Sequence, residues 1–192
     1  MIVAINRFIT RGHKGKRGFT LLELMVTVGI VALAAGFAIP SFLSWLPSYR
    51  VLSAARDMGS TFQLARLKAA TNTAEYRVVI NLTNPPFSVN LEKGNAPLNS
   101  TVWTCEPGQY QEFHDVITNI SVTPGTTDSV GLNVCRADGS VEGGASGHTV
   151  IFRPNGSTNI GAEVLVQLTN KKGNRFQVSV ANTTGRVRVE KL

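Results

Sequence analysis

Glu23 is the residue of this sequence whose surroundings most demand a chemical reason. It is the single ionisable group in the 21 positions from Phe19 to Ile39. An acid in so apolar a run costs about 2.5–3.5 kcal/mol at the centre of a bilayer and less near an end, so it needs a cationic partner. Cleavage of the peptide bond between Gly18 and Phe19 would supply one, a new α-amine four residues from Glu23. The carboxylate of one copy could then neutralise the amine of its neighbour when two such helices pack side by side.

Other residues with chemical potential are few. Cys105 and Cys135 form an even pair, which favours a disulfide in a chain exported through a membrane. The alternative is two buried free thiols. No metal site is expected, since the cysteines are far apart and lack a nearby His pair of zinc-ligand spacing. His114 beside Asp115 could orient a base, but a loop pair of this kind is usually solvated, and His148 is distant. There is no phosphate-cradling glycine loop and no nucleophile elbow. The expectation is a non-enzymatic protein without a cofactor.

A further candidate is basic. Arg186 and Arg188 are two apart, so on a strand both would face one way while Val187 and Val189 face the other. Lys171, Lys172 and Arg175 cluster at the preceding turn and could share that side. Guanidinium groups on a strand are good bidentate phosphate ligands. A handful of such contacts gives weak, salt-dependent, sequence-independent DNA binding. Two plainer readings stay open. Basic residues guard an edge strand against aggregation, or they pair with the acidic body of a neighbouring subunit.

The charge distribution supports the same division. The 192 residues carry a formal charge of +7, which by itself suggests an anionic partner. Five basic residues and no acid fall in residues 1–18, leaving only +2 for the remainder. Within that remainder residues 19–170 sum to −3 and residues 171–192 to +5. The leading charge is topology information: it should stay cytoplasmic and send the C-terminal part outward.

These residues must be held by two kinds of element. Residues 19–39 would span about 31 Å as a helix, the thickness of a bilayer core. Val51, Ala55, Met58, Phe62, Ala65 and Ala69 then form one apolar stripe, predicting an amphipathic helix over 40–73. Pro40 and Pro47 should kink or loosen the helix between them. From residue 74 to residue 192 the period is two. Strands are expected at 76–82, 87–91, 115–122, 130–135 and 148–153, with a terminal meander over 163–169, 175–181 and 186–190. Segments 92–114 and 136–147 read as loops flanking the cysteines. The fold class is α+β, one long helix on an antiparallel sheet.

An ordinary signal peptide would be cut near Ala32-Leu33-Ala34, and a plain signal anchor would stay uncut. Neither accounts for Glu23. Lys16-Arg17-Gly18 followed by Phe19-Thr20-Leu21-Leu22-Glu23 resembles the prepilin peptidase site of type IV pilins and pseudopilins. The resemblance implies removal of residues 1–18 by that peptidase, N-methylation of Phe19, and assembly with other pilins through Glu23. Pro40 falls where the family has a helix-interrupting proline. Leu64-Ala65-Arg66-Leu67-Lys68-Ala69, Phe152-Arg153-Pro154-Asn155-Gly156 and Gly185-Arg186-Val187-Arg188-Val189 resemble FimT/GspH-type minor pilins. That branch implies a subunit held in the bacterial inner membrane, with an extracytoplasmic domain, before it enters a pilus or a type II secretion pseudopilus. Some FimT-like pilins are associated with DNA capture. The rival readings are a secretion pseudopilin without a DNA role and an exported binding domain with an ordinary signal peptide.

Overall fold

The computed structural model describes residues 18–83, 86–124, 132–136 and 138–192. Residues 1–17 of the leader expected over 1–18, the turn residues Asn84, Pro85 and Gly125, and the first part of the strand expected at 130–135 lie outside these residues. The chain divides into two compact units, Met1–Leu43 and Ser44–Leu192.

A single helix, α1, runs from Leu21 to Asn72 and enters both units. Its start is set locally. The Thr20 hydroxyl accepts the Glu23 amide at 3.2 Å, and the Thr20 carbonyl accepts the Leu24 amide at 3.1 Å. Thr20 is therefore the N-cap, and Glu23 stands at the third helical position, the arrangement of a capping box. In the first unit the apolar side chains are exposed all round the helix, among them Phe19, Leu22, Val28, Val31 and Phe37. A helix apolar on every side is a segment for lipid or for other helices, and this one is long and apolar enough to cross a membrane.

The kink or loosening expected between Pro40 and Pro47 does not end the helix, which runs on through both prolines. Proline's fixed φ is compatible with a helix, and its penalty is one lost hydrogen bond and a clash one turn back. Seven residues apart, the two missing donors fall two turns apart on one side, so neither compounds the other.

In the second unit the helix buries Val51, Ala54, Ala55, Met58, Gly59, Phe62, Ala65 and Ala69. All six stripe residues expected from the sequence are among them. Two four-stranded antiparallel sheets share this core. The first contains β1 (Tyr76–Asn81), β2 (Ser88–Gly94), β3 (Trp103–Glu112) and, later in the chain, β7 (Gly147–Phe152), in the order β3-β2-β1-β7. The second contains β4 (Ile117–Thr123), β8 (Val164–Asn170), β9 (Arg175–Val180) and β10 (Val187–Lys191), in the order β10-β9-β8-β4. A separate hairpin pairs β5 (Leu132–Cys135) with β6 (Val141–Ala145).

The terminal meander stands as read from the sequence, while the single sheet becomes two sheets and a hairpin. Both expected loops contain strand. Most of 92–114 is the end of β2 and all of β3, and 136–147 contains β6. Pro107-Gly108 disguises β3 as a turn. β3 lies at a sheet edge, where a proline's missing donor is tolerated, and Gly108 adopts φ +70°. The β2–β3 register also shifts between Asn90 and Glu92, a bulge that absorbs the extra residues. β6, Val-Glu-Gly-Gly-Ala, has no alternating apolar pattern to betray it.

Candidate functional site

The capping geometry places Glu23 before any partner is invoked. Its carboxylate stands in the first turn, where it complements the positive end of the helix dipole, and it is exposed. Gly18, Phe19 and Thr20 precede the helix as exposed, non-helical chain, the kind of segment a peptidase can engage. In the sequence Glu23 stands out by its charge and by its place in the motif that follows Gly18. The Thr20-x-x-Glu23 spacing is a further signal, that of a helix N-terminus.

The basic residues do not form one patch. Arg188 pairs in register with Ser179 and Glu190 with Gln177, so both point to the face of the second sheet that carries Arg175. Val187 and Val189 take the opposite face: a Cβ added at Gly59 would lie 3.7 Å from Val187 and 3.0 Å from Val189. The alternation along β10 is therefore as expected, but the grouping is not. Leu192 donates its amide to Arg175 at 3.1 Å, which sets Arg175 opposite the last residue of the chain and four positions of β10 from Arg188. That is about 13 Å along a strand. Lys171 and Lys172, in the β8–β9 turn, lie beyond Arg175 at the same end. Arg188 is also paired with Glu190 at 3.0 Å.

Arg186 has a neighbour that sequence reasoning did not group with it. It lines an open groove of about 570 Å³ together with Arg66 from α1 and with Pro154, Asn155 and Gly156. The chain can run this close only because Gly185, at φ +61°, has no side chain: a Cβ there would come within 2.6 Å of the Gly156 carbonyl and 3.0 Å of the Arg66 side chain. Two exposed guanidinium groups thus border one groove.

A second cluster is buried. Cys105 and Cys135 form a disulfide with Cα atoms 5.7 Å apart, joining β3 to the β5–β6 hairpin. The hairpin covers the outer face of the first sheet, packing Leu132 and Val134 on Val79 and Tyr110. Beneath it lie Ser88, Asn90 and Glu92, all fully buried. Glu92 is paired with Arg77, whose guanidinium also stacks 4.5 Å above the Trp103 ring. Burial raises the Glu92 pKa, opposed by the hydrogen bond and charge of Arg77. Glu92, Cys105 and Cys135 gather potential metal ligands, but sulfurs bonded to each other offer no thiolate.

His114 and His148, the histidines among the described residues, lie on different elements. His114 precedes β4 and accepts the Val116 amide through Nδ1 at 3.3 Å, which makes it a turn residue. His148 sits opposite Ile80 in the first sheet.

Residues 13–39 match the prokaryotic N-terminal methylation motif. Over this segment the chain is type IV prepilin-like. The match includes Lys14, Lys16 and Arg17, the Gly18–Phe19 bond, Glu23 and the apolar run. No curated protein matches the chain. Among solved structures it is similar to the type IV minor pilin FimU of Pseudomonas aeruginosa, at 12% identity and a TM-score of 0.46, over 72% of this chain and 90% of that one. It is also similar to the minor pseudopilin EpsH of the Vibrio cholerae type 2 secretion system, at 8% identity and a TM-score of 0.47, over 72% and 94%.

Proposed function

We propose that this chain is a minor pilin or pseudopilin, a structural subunit stored in a membrane by residues 19–39 and assembled through that helix into a filament. The observation that carries the reading is the methylation motif, which surrounds one exposed carboxylate in an otherwise apolar helix. Cutting after Gly18 leaves the Phe19 amine within a turn of Glu23. A charge pair between adjacent copies then fixes their stagger, because an acid left unpaired among apolar helices is costly. The domain that follows is directed out of the cytoplasm by the basic leader.

Mass spectrometry of the mature protein tests this directly. The expected N-terminus is methylated Phe19, and an N-terminus near Ala35 would overturn the reading. In the same cells Glu23→Ala should leave the protein in the membrane fraction and remove it from sheared filaments or from cross-linked filament complexes.

DNA binding is a second reading, and the groove between Arg66 and Arg186 favours it. A phosphate could be held from both sides there, with Arg188 close along the strand, whereas Lys171, Lys172 and Arg175 are too far to join the same contact. The processed protein should retard duplex DNA at low salt, and Arg186→Ala with Arg188→Ala should abolish the shift. An unchanged shift would leave these arginines as guards of an edge strand.

A further inference from the structure

The other three cations lie at the end of the second sheet that meets the first residues of α1 within the same unit. Asn170, the last residue of β8, donates its side-chain amide to the Pro47 carbonyl of α1 at 3.4 Å. This ties the β8–β9 turn to the helix at the level of Pro47. Lys171 and Lys172 follow in that turn, Arg175 begins β9, and Lys191 closes β10 opposite Phe176. All four side chains belong to exposed residues. Two exposed acids lie near these cations among the described residues: Asp115, which borders a small cavity with Pro47 and the two lysines, and Glu190, which precedes Lys191 on β10.

The helix at this level carries a second mark. Trp45 and Tyr49 stack with ring centroids 4.9 Å apart, yet they remain 54% and 47% exposed. Paired rings left half in solvent, beside a run of apolar helix, are the residues that membrane–water interfaces enrich. Six residues separate Ile39 from Trp45, about 9 Å of helix, and the headgroup layer on each side of the hydrocarbon core is about 5–8 Å deep. Two more residues reach Pro47, and the surface potential of an anionic leaflet extends about 8–10 Å further.

We infer that Lys171, Lys172, Arg175 and Lys191, together with the Trp45–Tyr49 pair, form a docking surface for the anionic phospholipid headgroups of the leaflet from which α1 emerges. The inference rests on the reading that residues 19–39 span a membrane. Docked this way, the stored subunit holds its folded domain against the bilayer until it is drawn into an assembly. Each lysine or arginine near an anionic surface adds attraction that salt screens.

The test uses the processed full-length chain in vesicles of phosphatidylcholine alone or with phosphatidylglycerol. Flotation after an alkaline wash first reports whether the chain is inserted. Loss of the chain from the floated vesicles would overturn the spanning reading, and this inference with it. Amine-reactive labelling read by mass spectrometry then reports the lysines, with exposed Lys93 of β2 as the internal standard. Lys171, Lys172 and Lys191 should label several-fold more slowly, relative to Lys93, in phosphatidylglycerol vesicles. High salt should abolish the difference. In the variant carrying Lys171→Glu and Lys172→Glu, Lys191 should regain the rate seen in phosphatidylcholine, with insertion unchanged. Equal labelling in both vesicle types, with the chain inserted, would overturn the docking surface while leaving the spanning reading intact.

Discussion

Burial holds the Glu92 carboxyl above the ordinary carboxylate range, and Arg77 opposes that effect without reversing it. The consequence for stability has a definite sign. The folded state holds this proton more tightly than the unfolded chain does, so the contribution of Glu92 favours folding most below the unfolded value. It is lost as pH rises through the raised folded value. Glu92→Gln cannot titrate. The stability of the parent relative to this variant should therefore fall between mildly acidic and neutral pH, as read from urea melts in detergent. A constant difference would show that Glu92 titrates alike in both states. Glu23 was legible in the sequence because a single charge in an apolar run has no bland explanation. Glu92 was not, because Ser88, Asn90 and Glu92 alternate with Val89 and Leu91 just as a solvent-facing row would. Only the hairpin packed over them makes that row interior.

Among the elements, α1 and β10 are joined at Gly59. The absent side chain lets the helix approach Val187 and Val189 of the edge strand. Gly59→Leu should destabilise the domain by about 1–3 kcal/mol through overpacking, measured by chemical unfolding, and should loosen β10 selectively in hydrogen exchange. Unchanged protection of β10 would mean that the edge strand is held by β9 alone. The helix stripe and the terminal meander were readable because each has an undisturbed period, 3.6 in one and two in the other. β3 and β6 were hidden because Pro107-Gly108 and Gly143-Gly144 carry the chemistry of turns, and both strands sit where a partner strand supplies the order that propensity does not. Arg175 shares the face of Arg188, as the spacing suggests, yet lies at the other end of the strand pair. Sequence spacing sets which face a strand residue takes, but register and turn position decide which end of the sheet it occupies.

For the molecule as a whole, the Cys105–Cys135 bond fastens the hairpin to the rest of the domain. Closing a loop of 30 residues stabilises by about 3–4 kcal/mol in the chain-entropy model. Replacing both cysteines by Ser should lower unfolding stability by about that amount, and hydrogen exchange should rise first over β5 and β6. A loss spread evenly over both sheets would mean that the hairpin is not the part the bond secures. The bond was foreseeable from an even cysteine count in a chain whose sequence reads as exported. What it joins was not, since β5 and β6 together have little apolar alternation.

The strand order carries a consequence for the sequence of events during synthesis. β1 has β2 on one side almost as soon as it is made, but its other neighbour, β7, lies more than sixty residues downstream. β4 is made before any member of its own sheet and must wait for β8, with Ile117 finding Asn170. While the chain is emerging, two open strand edges therefore coexist. Each can recruit a matching strand from another half-made copy. The apolar helix precedes both, so in time as well as in sequence the anchor is available before the vulnerable edges appear.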